Sequence, residues 1–95
     1  MRYEFDPVKA AANLAKHGLD FADVDGVLNS RYRLDVPVLR NREERVQSMA
    51  YVFGCLAVLT VVRTVRFGST RIISFRRASK VETEVDHEWL ENDAV

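Results

Sequence analysis

The fold is decided at residues 31–38, which read RYRLDVPV and alternate between polar and apolar side chains. This alternation indicates a β-strand with one face toward water, because successive side chains of a strand point to opposite sides. Pro37 has no backbone N–H, so we expect this strand at an edge of its sheet. Apolar residues recur with helical spacing before residue 31 and mostly with a period of two after it, so the chain changes there from helices to strands.

Upstream, a short opening strand at residues 2–5 is followed by two predicted helices. Asp6 and Pro7 form a helix start, because Asp accepts hydrogen bonds from free N–H groups and Pro lacks one. We expect this helix to end at Gly18 and to pack through four apolar residues, namely Val8, Ala11, Ala12 and Ala15. Asp20 then caps a second helix, which buries Phe21, Val24, Val27 and Leu28. Their short connection predicts a helical hairpin.

Downstream, three further strands are predicted at residues 44–53, 56–62 and 70–77. The segment 56–62 is almost wholly apolar, which is typical of a central strand covered on both faces. Cys55, next to this segment, is predicted to be a buried free thiol. In the last strand, alternation places Ile73 and Phe75 on one face, and Ile72, Ser74 and Arg76 on the other.

The sequence Ser79-Lys80-Val81-Glu82 has the spacing of a capping box, which predicts a final helix. The full order predicts one α+β domain over residues 1–95. In it a short N-terminal strand precedes a helical hairpin, which packs on a four-stranded antiparallel meander followed by a C-terminal helix. The final helix carries Val81, Val85 and Trp89 at helical spacing. These residues either pack on the sheet or, in the case of Val85 and Trp89, bind a partner, because aromatic side chains dominate interface hot spots.

The formal net charge of zero hides an uneven distribution. Residues 1–77 hold thirteen Lys or Arg against eight Asp or Glu, whereas residues 78–95 hold one Lys against six acids. A basic body is typical of nucleic-acid binders, and an acidic tail suits a basic partner. The sequence has neither an apolar run long enough for a membrane span nor an apolar N-terminal signal region, so we expect a cytoplasmic protein without membrane contact.

The sequence contains several motifs in a fixed order. The first is Phe5-Asp6-Pro7-x-Lys9-x3-Asn13-x2-Lys16-His17-Gly18-x2-Phe21. It is followed by Glu44-Arg45, by Arg71-Ile72-Ile73-Ser74-x-Arg76-x-Ala78, and by Glu82. Together these motifs resemble those of the BrnT family of toxins, and the resemblance spans roughly residues 3–84.

This resemblance implies a toxin of a type II toxin–antitoxin system, with a RelE-like fold and metal-independent endoribonuclease activity. It also implies a cognate BrnA-like antitoxin with a ribbon-helix-helix DNA-binding domain, which neutralises the toxin in a complex that contacts DNA only through the antitoxin. Such a complex is expected as a heterotetramer. The alternative is a catalytically inactive binding module that serves as corepressor partner of the antitoxin.

Cleavage of RNA without metal requires a group that accepts the 2′-OH proton and cations that stabilise charge on phosphorus. Lys16 and His17 could supply a phosphate contact and a proton shuttle, or they could simply complement the end of their helix. His87 lies among acidic residues and is predicted to be a solvated surface residue.

Four arginines on three neighbouring strands could surround one phosphate, or pair with acids on a solvated face. Of these, Arg45 and Arg76 match family positions and are the candidates for catalysis, whereas Arg63 and Arg71 are candidates for RNA binding. Glu44 is predicted to be either a carboxylate base or a plain arginine partner. One Cys and two distant His lack metal-ligand spacing, so we expect neither a metal site nor another cofactor.

Overall fold

The structure, a computed structural model, describes residues 3–66 and 68–92. Its elements are strand β1 (Tyr3–Glu4), helix α1 (Pro7–His17), a 3₁₀ turn (Phe21–Asp23), helix α2 (Asp25–Leu28), strands β2 (Leu34–Arg40), β3 (Glu43–Val52), β4 (Ala57–Arg66) and β5 (Ser69–Arg77), and helix α3 (Lys80–Asn92). Arg2, predicted in the opening strand, lies outside the described residues. No helix in the described ranges is long and apolar enough to cross a membrane.

The α+β class is confirmed, but the sheet has five strands and is mixed. Its order is β1-β5-β4-β3-β2, with antiparallel neighbours from β5 to β2 and with β1 parallel to β5. The predicted four-stranded meander is therefore corrected by the addition of β1, whose Tyr3 pairs with Thr70. The Tyr3 hydroxyl also donates a hydrogen bond to Asp25 in α2. Burial, followed by this hydrogen bond, raises the pKa of Tyr3 to about 12, so the phenol stays protonated and keeps donating.

Strand β2 lies at the edge of the sheet, as its Pro37 predicts, and β4 lies in the middle. Asn41 and Arg42 both have positive φ and form a tight turn between β2 and β3. On either side of this turn, Arg40 of β2 pairs with Glu43 of β3. The turn between β3 and β4 leaves Cys55 exposed. The prediction of a buried thiol was wrong because Cys55 lies in the turn before β4 begins, outside the covered part of that strand.

The main core lies where the 3₁₀ turn and α2 pack on one side of the sheet. We call this side the helix face, and its buried cluster comprises Phe21, Val24, Val27, Leu28, Ala50, Leu59, Val61, Ile72 and Phe75. The predicted apolar spacing of the second helix is confirmed by burial of its four residues. The helix itself is broken at Val24, where a 3₁₀ turn gives way to the four residues of α2.

Helix α1 begins and ends as its sequence predicts. The Asp6 side chain accepts a hydrogen bond from the Val8 N–H, and Gly18 has the left-handed conformation at φ 70°. The predicted packing side was wrong, since Val8 is 77 % exposed. The buried residue of the helix is Asn13, whose amide donates to the Phe75 carbonyl and accepts from the Phe75 N–H. A polar side chain that satisfies strand backbone thus fixes the orientation of α1 on β5.

A β-bulge in β5 changes which of its side chains share a face. Arg63 pairs with Ile72 and Val62 pairs with Ser74, so Ile73 is the extra residue. Ile72 and Phe75 are both buried in the core, whereas Ile73 and Ser74 point to the other side together with Arg76. The predicted alternation through β5 was therefore wrong, because one extra residue reverses the facing of everything beyond it.

Helix α3 packs on the side of the sheet opposite the helix face. Thr60 alternates with the core residues of β4, and its hydroxyl lies 3.5 Å from the Glu82 carboxylate. The predicted capping box is confirmed: the Glu82 N–H donates to the Ser79 hydroxyl, and the Ser79 N–H donates to Glu82. The predicted packing stripe was displaced, since Val81 is 68 % exposed whereas Asp86 is fully buried.

Candidate functional site

Three of the predicted arginines lie together on the sheet side opposite the helix face. Across β4 and β5, Thr60 pairs with Arg76 and Thr64 pairs with Arg71. Arg45, on β3, lines one depression with Arg71 and another with Arg76. We call this surface the arginine face, and define it by Arg45, Arg71 and Arg76. Helix α3 covers one end of it and leaves the remainder open.

The bulge at Ile73 makes this grouping geometrically feasible. Arg71 and Arg76 differ in parity, so regular alternation would place them on opposite sides of β5. The extra residue between them brings both to one side. Ile73 itself lines all three depressions of the arginine face and so lies at its centre.

Arg76 is held in place by a bidentate ion pair with Glu82. The two guanidinium nitrogens donate to the two carboxylate oxygens at 2.7 and 3.0 Å. This hydrogen bonding lowers the pKa of Glu82 to about 2, with a further contribution from the Ser79 backbone, and raises the pKa of Arg76. The capping box of α3 therefore also positions an arginine of the arginine face.

Arg45 has a carboxylate partner from its own strand. Its Nε donates to Glu43 at 2.8 Å, and both side chains line the same depression as Arg71. Glu44 points to the other side of the sheet, because it directly precedes Arg45 on a regular strand. Glu43 was therefore not predicted from the sequence, because the side of the sheet to which it points depends on where β3 begins.

Lys16 and His17 lie at the border of the arginine face. They share a depression of about 390 Å³ with Ser74 and Arg76. The Asn13 hydrogen bonds to Phe75 fix the helix that carries both residues. Asn13 belongs to the first motif, but its positioning role was not predicted from the sequence. Its hydrogen-bond partner is the backbone of a residue 62 positions away.

The structure places Arg63 on the helix face, apart from the other three arginines. Its Nε donates to the Ser48 hydroxyl at 3.0 Å, and its guanidinium lies 3.6 Å from Asp35. The Ser48 hydroxyl in turn donates to Asp35 at 2.7 Å. Arg63 is only 12 % exposed and ties β2, β3 and β4 together.

The partner-binding candidates on α3 border a groove beside the sheet edge. Val85 and Trp89 line it from the helix, and Leu34 and Val36 line it from β2. Val85 is 43 % exposed and Trp89 is half-buried. His87, on the outer side of the same helix, is exposed as predicted.

The chemistry available on the arginine face is that of a cationic surface with one imidazole. The guanidinium groups of Arg45, Arg71 and Arg76, that of Arg40 beside them and the Lys16 ammonium supply donors for phosphate oxygens, and the His17 imidazole can act as a hydrogen-bond donor or acceptor. No group of three or more His, Cys, Asp or Glu in residues 3–66 and 68–92 is arranged to hold a metal ion. The cationic side chains of the face offer groups for phosphodiester binding, and His17 offers one for proton transfer.

Comparison with known proteins agrees with this chemistry. The family model described as "Ribonuclease toxin, BrnT, of type II toxin-antitoxin system" matches residues 5–82. No curated protein matches the chain. The family match covers most of the chain, including the capping box and every residue of the arginine face. The chain therefore belongs to the BrnT family, the ribonuclease toxins of type II toxin–antitoxin systems.

Proposed function

We propose that the arginine face is the site at which this toxin binds and cleaves RNA. The observation that supports the proposal most strongly is the convergence of Arg45, Arg71 and Arg76 on one open side of the sheet, with Lys16 and His17 at its border. Guanidinium groups bind phosphate oxygens bidentately and stabilise charge that develops on them. The five residues lie within the part of the chain that matches the ribonuclease family.

In the proposed reaction the 2′-oxygen of one ribose attacks the adjacent phosphorus. The proton of the 2′-OH passes to the His17 imidazole, and the bond from phosphorus to the 5′-oxygen breaks. Arg76 and Arg45 stabilise the negative charge on the phosphate, and Lys16 holds the same or the next phosphate. The 5′-oxygen takes a proton from solvent water as it leaves, giving a 2′,3′-cyclic phosphate and a 5′-hydroxyl end. Glu43 replaces Glu44 as the carboxylate of this site.

We further propose that the antitoxin is a BrnA-like protein with a ribbon-helix-helix domain and that the two chains assemble as a heterotetramer in the cytoplasm. DNA contact is then made by the antitoxin alone. The groove between α3 and β2 is the proposed docking place, because Val85 and Trp89 border it and Glu88 supplies an acidic contact. In this arrangement the sheet with its flanking helices corresponds to the RelE-like class, with β1 as an added strand.

The test of this proposal is RNA cleavage by the purified chain in the presence of EDTA. We expect fragments that end in 2′,3′-cyclic phosphate and begin with 5′-hydroxyl, and a single 2′-deoxy substitution at a cleaved nucleotide abolishes cleavage there. Lys16→Ala lowers the rate, whereas Lys80→Ala, at an exposed position on α3, leaves it unchanged. Intact RNA with a folded wild-type chain would contradict the proposal and favour the inactive corepressor module.

A further inference from the structure

The depression at the centre of the arginine face has a cationic rim and an aliphatic floor. Its volume is about 240 Å³, and its rim carries Arg40, Arg45 and Arg76. Aliphatic side chains from three strands line it, namely Val38 of β2, Val62 of β4 and Ile73 of β5. Because of the bulge, Ile73 and its neighbour Ser74 both point to this side of the sheet, and bulges beside functional sites commonly re-aim a side chain in this way.

Two uncharged polar side chains border the same depression. Gln47 lies in β3, paired with Val36 of β2 on one side and Val62 of β4 on the other, and Ser74 lies beside Ile73. Within residues 3–66 and 68–92, neither side chain makes a hydrogen bond to another described residue. Gln47 therefore presents an unused amide with two N–H donors and one carbonyl acceptor, at a half-buried position.

The chemistry of this depression differs from that of its rim. Phosphate oxygens are satisfied by the arginines on either side, and an aliphatic floor gives them no donor. A nucleobase has the complementary properties, because its faces are apolar and its edge carries donors and acceptors. Proteins that bind unpaired RNA use this combination of a packing surface for the base and polar side chains for its edge.

We propose that this depression is a nucleobase subsite, in which the base beside the scissile phosphate packs on Ile73 and Val62 while Gln47 reads its edge. The inference rests on the proposed RNA-cleaving function and adds a source of sequence preference to it. In the major groove of DNA a glutamine amide pairs bidentately with N6 and N7 of adenine, and we assign adenine to the subsite on the basis of the same pairing.

The experiment measures binding of short RNA oligonucleotides made non-cleavable by a single 2′-deoxy nucleotide. One position is varied as A, C, G, U or an abasic unit, so that every phosphate is retained. At one position the wild-type chain binds adenine about tenfold more tightly than the other bases, as a good bidentate contact implies. Gln47→Ala removes the difference between bases, and Gln47→Glu moves the preference to cytosine, whose amino group a carboxylate accepts.

Ile73 is tested with the abasic oligonucleotide. The ratio of the affinity for an oligonucleotide with the base to that for the abasic oligonucleotide falls about threefold in Ile73→Ala. Loss of an aromatic stacking partner would lower this ratio further. The matched control is Val65→Ala, since Val65 is an exposed aliphatic residue of β4 that points to the helix face. Val65→Ala leaves both binding ratios unchanged. Thermal unfolding of each variant confirms that it is folded.

The outcomes separate this inference from the function on which it rests. A wild-type chain that cleaves RNA but tolerates an abasic unit at every position overturns the nucleobase subsite and leaves the proposed function intact. Unchanged base preference in Gln47→Ala overturns the role of Gln47. A folded wild-type chain that neither binds nor cleaves RNA overturns the proposed function. Loss of antitoxin binding in Gln47→Ala without any effect on RNA would reassign the depression to the protein partner.

Discussion

Arg63 and Arg71 lie in neighbouring strands of one sheet, yet their side chains are held very differently. Arg63 contacts Ser48 and Asp35 and is almost buried. Arg71 is exposed, and within the described ranges no ion pair to another residue is found for it. The first side chain stabilises the fold, and the second is available for substrate.

We predict that Arg63→Ala destabilises the protein without lowering the cleavage rate of the folded fraction. The variant loses a charged hydrogen bond to Ser48, which contributes about 2 kcal/mol. Urea unfolding gives the change in the free energy of unfolding, and single-turnover cleavage gives the rate. Arg71→Ala is the comparison, with unchanged stability and weaker RNA binding. A stable Arg63→Ala with impaired cleavage would reverse these assignments.

Asn13 is the second position at which one side chain has a large predicted effect. Asn13→Ala leaves the Phe75 N–H and carbonyl without their partner and removes the bond to the Leu19 carbonyl. Because buried backbone groups then lack hydrogen bonds, we expect a loss of about 3 kcal/mol in the free energy of unfolding. Ala12→Ser, an exposed change on the same helix, lowers that free energy by only about 0.5 kcal/mol, the difference in helix propensity. Equal stability of Asn13→Ala and wild type in urea would contradict the described anchoring of α1.

At the scale of elements, helix α3 directs two carboxylates at the sheet, of which one stabilises the folded state and the other destabilises it. Glu82 is paired with Arg76 and caps its own helix. Asp86, one turn later, is fully buried, and neither of its oxygens has a hydrogen-bond partner among the described residues. Burial raises the pKa of Asp86, an effect that exceeds the opposing influence of His87. The two carboxylates therefore have opposite effects on stability as pH changes.

Glu82 has a pKa of about 2 in the folded chain, below its ordinary value of 4.5. The stability it contributes is present above about pH 4.5 and is lost as pH falls toward 2. We expect Glu82→Gln to lower the free energy of unfolding at pH 7 by about 2 kcal/mol and to weaken its acid dependence. Urea unfolding at pH 7 and pH 3 measures both, with the exposed Glu84→Gln as control. A loss in Glu82→Gln that is as large at pH 3 as at pH 7 would contradict the ion pair.

Asp86 has the opposite effect on the pH dependence of stability, because its pKa is raised in the folded chain. The folded state prefers the protonated carboxyl, so stability falls as pH rises from the ordinary carboxyl range through the raised value. Asp86→Asn removes the titration, and we expect it to be more stable than wild type at pH 7. The difference shrinks at pH 3, where both side chains are neutral. A less stable Asp86→Asn at pH 7 in urea unfolding would show that the ionised carboxylate has a partner.

Elements were predictable wherever their signals are local. The caps of α1, the capping box of α3 and the edge position of β2 follow from single residues and their spacing. The side of the sheet to which each β5 side chain points was not predictable, because the bulge depends on the pairing of β5 with β4. The packing sides of α1 and α3 were missed for a related reason: polar residues, Asn13 and Asp86, occupy the buried positions. Apolar spacing alone cannot identify such positions.

At the scale of the whole molecule, the basic residues of the site and the acidic final segment lie on different elements. The basic residues lie on β3, β5 and α1, and the described acidic residues of the final segment, from Glu82 to Glu91, lie on α3. The family resemblance favoured Arg45, Arg76, Lys16 and His17 as residues of one site, and the structure brings them to one surface. Arg63 could not be separated from them in advance, because its facing depends on the register between strands.

Arg76 and Arg77 provide the most direct test that the arginine face performs the cleavage. They are adjacent in β5, but Arg76 pairs with Thr60 on the arginine face and Arg77 pairs with Leu59 on the helix face. Both are replaced by Gln, which keeps a donor toward Glu82 in the first variant, and single-turnover RNA cleavage is measured in EDTA. Arg76→Gln lowers the rate about a hundredfold, as loss of one charge-stabilising donor does, whereas Arg77→Gln cleaves at the wild-type rate. Equal rates in the two variants would contradict the assignment of the site to the arginine face.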